Sequence, residues 1–252
     1  MDLKTKIGKI AEINYNLINL KVNENLNSGN HIKTNYDFLK NKIVVGCVGY
    51  ARSGKDSIGS VMVKEYGFKR ISYGDALKQD LDDYMKEQVF EDLKKHGIEL
   101  PMEDIQFLNP KTIEIKEILR PYMVWYGEFM KKNNGIQYWV NRTHSQIGEA
   151  KKIIITDVRR VNELEPFFIE TANKYNFESM LLHISQYGLT DRDTMTHDCI
   201  RVALENWLFE DTILIDSRIP DEGDNRQKHL QEHVDNLSER FPYFFGRETK
   251  TN

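Results

Sequence analysis

The sequence predicts an α/β protein, a five-stranded parallel sheet flanked by helices, and three observations carry that expectation. The run Ile43-Val44-Val45-Gly46-Cys47-Val48 is short, apolar and rich in β-branched residues, as a strand buried on both faces requires. Directly after it comes Gly49-Tyr50-Ala51-Arg52-Ser53-Gly54-Lys55-Asp56-Ser57, two glycines ahead of a lysine, followed by a helical pattern. Beyond this point strand-like and helix-like stretches alternate down the chain.

The first strand covers 43–48, and the further strands are expected at 68–72, 152–156, 180–185 and 212–216, each a run of apolar or β-branched residues. Helices are expected at 56–66, 75–95, 111–133 with a break near Pro121, 138–148, 162–175, 198–206 and 227–241. Between them, 97–110 is a connector holding Pro101 and Pro110, and 186–196 is polar and loop-like. Residues 1–40 stand apart: they contain eight asparagines and no proline, and Ile7, Ile10, Leu17 and Leu20 could line one face of a short helix ahead of a polar linker at 23–35. The expected division is therefore an N-terminal helical, Asn-rich extension over 1–40 and one domain over 41–252.

Bulk properties narrow the function. The chain has 252 residues, 40% hydrophobic and 29% charged, which suits a globular domain. No run of 18 apolar residues occurs and no apolar segment follows Met1, so neither a membrane span nor a secretory signal is read. The net charge of −4 supplies no basic field, and stable nucleic-acid binding is not expected. Cys47 and Cys199 share no metal-ligand spacing, in keeping with a reduced, cytoplasmic setting.

The glycine-rich loop is the strongest chemical signal. Its backbone amides, from Gly49 through Ser53 and Gly54, would donate to phosphate oxygens, and the helix that follows adds a favourable dipole. Lys55 would reach the outer phosphates of a nucleotide. The residue after that lysine is ordinarily Ser or Thr, which ligates magnesium; here it is Asp56, followed by Ser57. The carboxylate could hold the ion directly or through water, or act on the acceptor, and Ser57 could supply the hydroxyl one step later. Asp157 ends the apolar run 152–156, where an acid can bind Mg2+ or its water shell. Arg159 follows on the loop, placed to stabilise a transferring phosphoryl group, while Arg160 suits a surface ion pair.

Other residues carry two readings. Asp75 and Lys78 lie just past the second strand, at the sheet end where ligands bind in such folds; Asp75 equally suits a helix cap. Arg120 could grip a phosphate through two hydrogen bonds. Tyr138 or Trp139 could stack on a base, although spacing alone favours core packing. Arg192 lies in a polar stretch where small-molecule kinases close a lid. His197 suits a structural or capping role, and no nucleophile–histidine arrangement can be argued.

Taken together, these motifs resemble the bacteriophage deoxynucleoside monophosphate kinases. Arg52-Ser53-Gly54-Lys55-Asp56-Ser57 is similar to the family's Arg-Ser-Gly-Lys-Asp-Thr, and Ile71-Ser72-Tyr73-Gly74-Asp75-Ala76-Leu77-Lys78 to its second motif. Arg120, Gly127-Glu128 and Tyr138-Trp139-Val140 look like its acceptor-side helices, and Thr156-Asp157-Val158-Arg159 with Asn162-Glu163 like its Asp-Val-Arg…Asn-Glu motif. The resemblance covers about residues 43–240; the extension 1–40 falls outside it, and Lys131 stands where an arginine is expected. An aspartate after the loop lysine also occurs in other small-molecule kinases, such as phosphomevalonate kinases.

The resemblance implies a P-loop kinase fold with a helical acceptor-binding region at about 76–150 and a short lid at about 186–200. It implies transfer of the γ-phosphoryl group of ATP to a deoxynucleoside 5′-monophosphate. The donor would lie on Gly49, Ser53, Gly54, Lys55, Asp56 and Ser57, with Mg2+ near Ser57 and Asp157. Asp75, Lys78, Arg120 and Trp139 would face the acceptor. Lys55, Asp56, Asp157 and Arg159 would carry the chemistry, with Arg192 closing from the lid. The setting would be cytoplasmic, that of the host if the chain is viral, and a homodimer is compatible with it. The alternatives are a kinase for another small phosphorylated acceptor, or a nucleotide-binding switch or assembly ATPase.

Overall fold

A computed structural model of the chain describes residues 36–188, 193–216, 218 and 223–246. The extension expected at 1–40 therefore falls almost wholly outside the described residues, as does Arg192. The described residues form two compact units, one of 74–142 and the other of the flanking segments up to 73 and from 143 onward.

The second unit is built on the sheet. In chain order its strands are β1 (Ile43–Val48), β2 (Lys69–Ile71), β3 (Lys152–Val158), β4 (Glu178–Gln186) and β5 (Phe209–Ile215). They pair in the order β2-β3-β1-β4-β5, and every pairing is parallel. The central strand β1 pairs with both β3 and β4, Val44 meeting Ile153 on one side and Ser179 on the other. Burial on both faces is why its sequence is continuously apolar. Val45 and Cys47 enter one core layer with Ile58 and Met62 of helix α1 (Lys55–Tyr66) and Val234 and Leu237 of helix α8 (Asp224–Arg240). On the opposite face Gly46 lies so close to Phe167 that a β-carbon there would sit 2.3 Å from the ring. Both cysteines are free and buried, and burial pushes the Cys47 thiol up to about 12.

The remaining helices depart from the sequence expectation in instructive ways. The stretch expected as one helix at 75–95 is two, α2 (Tyr73–Tyr84) and α3 (Lys86–Lys95), with Met85 at the junction turned into the core. Helix α4 (Ile113–Asn134) runs through Pro121 unbroken. Pro121 deletes one helical hydrogen bond, but Ile115, Leu119, Tyr122, Tyr126, Phe129 and Met130 bury a continuous stripe on both sides of it, which outweighs that loss. Helix α5 (Tyr138–His144) stops short of the expected 148. The stretch 162–175 begins as a 3-10 helix, Val161–Phe167, which holds Pro166, and becomes α6 (Ile169–Tyr175) after it. Helix α7 (Thr194–Glu205) starts earlier than 198, because the Asp193 carboxylate accepts a hydrogen bond from the Thr196 amide and caps it. Of the stretch 186–200 expected as a lid, Gln186 belongs to β4, 194–200 to α7, and 189–192 lie outside the described residues. A short helix, α9 (Pro242–Phe245), ends the described chain.

The unit 74–142 is helical with a core of its own. Leu81, Leu93, Leu119, Tyr126 and Phe129 pack together, and two acids, half-buried Asp82 and buried Asp92, tie the connector and α4 into it. Asp82 accepts from the amides of Phe107 and Leu108 at 2.8 and 3.0 Å, and Asp92 from the Tyr122 hydroxyl at 3.0 Å. Because α4 is continuous, Pro121→Ala should restore its missing hydrogen bond and raise stability by about 1–2 kcal/mol, checked by chemical denaturation; an unchanged or lower stability would mean that the proline shapes the helix usefully.

Candidate functional site

The loop between β1 and α1 sits at the carboxyl end of the central strand, where a parallel sheet opens a crevice. Its curl requires glycine twice. A β-carbon on Gly49 would lie 2.1 Å from the Ile184 carbonyl oxygen. Gly54 begins α1 at φ +93°, in the left-handed region, with Ile215 above it. Arg52 is left-handed as well, at φ +63°, which costs about 1 kcal/mol for a residue with a side chain.

Inside this curl lies the Lys55 ammonium. It donates to the Gly49 and Tyr50 carbonyl oxygens, each at 2.6 Å, and to Ser53 Oγ at 3.3 Å. Ser53 and Lys55 are both buried. Burial, with help from the nearby Arg159 charge, pushes the Lys55 amine down to about 8, against the pull of Asp56 and Asp157.

Asp56, standing where a hydroxyl is ordinarily found, takes a different place. Its Oδ1 accepts from the Thr156 hydroxyl at 2.9 Å and from the Arg70 guanidinium at 3.0 Å. Desolvation acts to raise its pKa, but those hydrogen bonds and the Arg70 and Lys55 charges hold the carboxyl below its usual range. Asp56 thereby joins the first turn of α1 to the ends of β2 and β3. The next residue of β3 does the same one step along: Asp157 accepts from Ser72 Oγ at 2.7 Å and from the Tyr73 amide at 2.8 Å, fixing the entry to α2. Tyr50 of the loop is held from the other side, its hydroxyl 3.0 Å from His197 Nδ1 on α7.

Arg159 leaves β3 beside these groups. Its Nε is buried and has no hydrogen-bond partner among the described residues. The loop carrying it is held by Glu163, whose Oε2 accepts from the Arg159 and Arg160 amides at 2.7 and 3.0 Å. Glu163 is buried, and burial followed by the Asp157 charge pushes its carboxyl up to about 7, against the two amide bonds. Sequence reading placed Glu163 only within a motif; the signal available was a Glu four residues beyond Arg159, where it can reach back to amides of the preceding loop.

A groove of about 490 Å3 begins at Ser57 and runs between α1 and α8, past Ser60, Lys64, Asp224, Gln227 and Lys228. It adjoins the loop but does not contain Lys55, Asp157 or Arg159.

The residues expected to face an acceptor belong to the helical unit. Asp75 and Lys78 form an ion pair at 2.8 Å on α2. Arg120 is exposed and clasps Glu117 through several hydrogen bonds of 2.7 to 3.2 Å. Trp139 is 7% exposed, donates Nε1 to the Gly127 carbonyl oxygen at 3.0 Å and packs on Tyr126 and Tyr138. The indole is a core group, the reading that spacing alone favoured. Lys131, standing where an arginine was expected, pairs with Glu128 at 2.6 Å.

No family model matches the chain, and no curated protein does. Among solved structures it is similar to an unliganded sugar kinase from Janibacter sp. HTCC2649, with 16% identity over 81% of this chain and 97% of that one and a TM-score of 0.32. It is also similar to a candidate kinase from Chloroflexus aurantiacus J-10-fl, with 10% identity over 80% and 98% of the two chains and a TM-score of 0.30. The all-parallel sheet flanked by helices is the expected α/β architecture. Among the described residues no helix is long and apolar enough to cross a membrane.

Glu163 generates a pH dependence. Its folded carboxyl binds a proton more tightly than the unfolded chain does, so its contribution favours folding below pH 4.5 and is lost as pH rises toward 7. The difference amounts to about 3 kcal/mol. Glu163→Gln should remove that downward slope relative to the parent protein, seen in denaturation series at pH 5 and 7.5; parallel slopes would show that the carboxyl titrates normally.

Proposed function

We propose that this chain is an ATP-dependent phosphotransferase whose acceptor is a deoxynucleoside 5′-monophosphate. The observation that carries the reading is the convergence of two cations at the glycine-rich loop. The Lys55 ammonium is wrapped by loop carbonyls, and Arg159 lies near enough to depress its proton affinity while its own Nε stays unpartnered. Two close positive charges beside a helix N-terminus call for a polyanion, and a nucleoside triphosphate supplies one.

The residues present suit Mg2+-ATP. A buried, unpartnered guanidinium nitrogen and a glycine cradle with no room for a side chain fit phosphate oxygens. The oxygen-rich set of Ser57 and Asp157 fits Mg2+, which keeps several waters and takes few protein ligands. When bound, Mg2+ neutralises charge on the outer phosphates. Both Asp157 oxygens already hold Ser72 and Tyr73, so contact through water suits this carboxylate. Asp56 acts by position: it fixes α1 against Thr156 and Arg70. Lys55 orients the phosphates, and Arg159 stabilises charge on the transferring group. An acceptor phosphate is already anionic at neutral pH and needs alignment more than a base. His197 is accordingly engaged elsewhere, on Tyr50.

For the acceptor, support comes from the resemblance alone. Asp75, Lys78 and Arg120 of the helical unit are the proposed contacts, with Trp139 holding α5 against Gly127 behind them. Arg192 is proposed as the lid residue. The groove between α1 and α8 begins at Ser57, in the first turn after the loop, and we assign it to the donor nucleoside.

The deciding experiment is ADP release from Mg-ATP with dAMP, dCMP, dGMP and dTMP in turn, beside a no-acceptor control. Acceptor-dependent release is expected; release without acceptor would indicate an ATPase or switch. Lys55→Ala should abolish transfer with the fold retained, checked by circular dichroism alongside the assay. Arg159→Ala should lower turnover about 10²–10³-fold, and near-normal turnover would remove it from the reaction.

A further inference from the structure

Helix α8 carries His229 and His233 one turn apart, which puts both side chains on one face of the helix. The rings are 4.5 Å apart, inclined by 75°, and face each other through the same nitrogen, Nε2 to Nε2 at 3.2 Å. We infer that this pair is a binding site for a late first-row divalent cation, of which zinc is the example tested below.

The separation is the first argument. A zinc ion bonds imidazole nitrogen at about 2.0–2.1 Å. Two such bonds at the tetrahedral angle place their nitrogens about 3.4 Å apart, and at a right angle about 2.9 Å. The 3.2 Å observed lies between these, so the spacing of the two nitrogens matches a shared ion.

Protonation is the second. The Asp216 amide points at His229 Nε2 from 3.3 Å. An amide can only donate, so that nitrogen carries a lone pair and the His229 proton is on Nδ1. His229 is thus already in the tautomer that ligates through Nε2. His233 donates its Nε2 proton to the same lone pair and must move it to Nδ1 before it can bind.

Surroundings are the third. Asp211 and Glu232 lie near enough to His233 to bias it toward positive charge, and Asp216 stands beside His229. Both rings are half-buried, shielded in part yet reachable from solvent. Among the described residues no group of three or more His, Cys, Asp or Glu gathers, so water completes the coordination. Imidazole ligands select zinc, copper or nickel over magnesium, which prefers oxygen. The site is therefore chemically separate from any nucleotide-bound Mg2+ and stands whether or not the chain is a kinase. It also has a structural reach. An ion at His229 Nε2 displaces the Asp216 amide, one residue from Ile215, whose side chain covers Gly54 of the phosphate loop.

The test is calorimetric titration of the untagged full-length chain, freed of metal with EDTA, using ZnCl2 in a non-coordinating buffer with millimolar MgCl2. One equivalent of zinc should bind despite the magnesium, and His229→Ala and His233→Ala should each weaken it at least about tenfold, whereas His96→Ala should not. Long-range 1H–15N spectra of the unaltered protein give an answer even if a variant misfolds: at one equivalent, the Nε2 resonances of both rings should shift and His233 should change tautomer. No stoichiometric binding, binding undiminished in both variants, or unmoved Nε2 resonances at saturation would each overturn the site and leave the pair a hydrogen-bonded clasp.

Discussion

The buried ammonium of Lys55 is the constraint around which the carboxyl end of the central strand is organised. A cation removed from water must be met by oxygen atoms, and here those atoms belong to the loop that precedes it. To aim the Gly49 and Tyr50 carbonyls inward, the backbone must curl tightly enough to force Arg52 and Gly54 into the left-handed region and to exclude any side chain at Gly49. The same curl turns the chain into α1 with its first amides facing outward. One electrostatic requirement therefore accounts for the loop's glycines, its strained arginine and the placement of the helix.

Around this centre, carboxylates act as fasteners between elements that are distant in sequence. Asp56 joins α1 to β2 and β3, Asp157 joins β3 to the start of α2, and Glu163 holds the loop bearing Arg159. Each of these acids fixes a segment that bears or borders one of the cations. The charges are mutually dependent: Arg159 lowers the Lys55 pKa, while Asp56 and Asp157 raise it.

What the sequence revealed follows from what is local. The strand β1, the glycine loop and β3 were legible because a doubly buried parallel strand is apolar residue by residue and a tightly curled loop needs its glycines at fixed places. The edge strand β5 was read too short, since exposed Glu210, Thr212 and Leu214 alternate with half-buried and buried positions and dilute the apolar signal. Pro121 argued for a break that burial along α4 overrides. Glu163 and Asp56 were readable as acids but not as fasteners, because their partners lie on other elements or are backbone amides. Trp139 could be read from spacing as a core residue, and its indole proton is used on the Gly127 carbonyl oxygen.

The sealed cysteines have a use of their own. Cys47 sits in the central strand and Cys199 in α7, both buried with thiols held well above their usual proton affinity. Neither thiolate is accessible to an alkylating reagent while the sheet is closed, because the reactive species is both unpopulated and out of reach. Modification must then wait for the protein to open, and two intrinsic chemical clocks report separately on the opening of the innermost strand and of an outer helix. The chain thus carries native probes of its local stability without any added label.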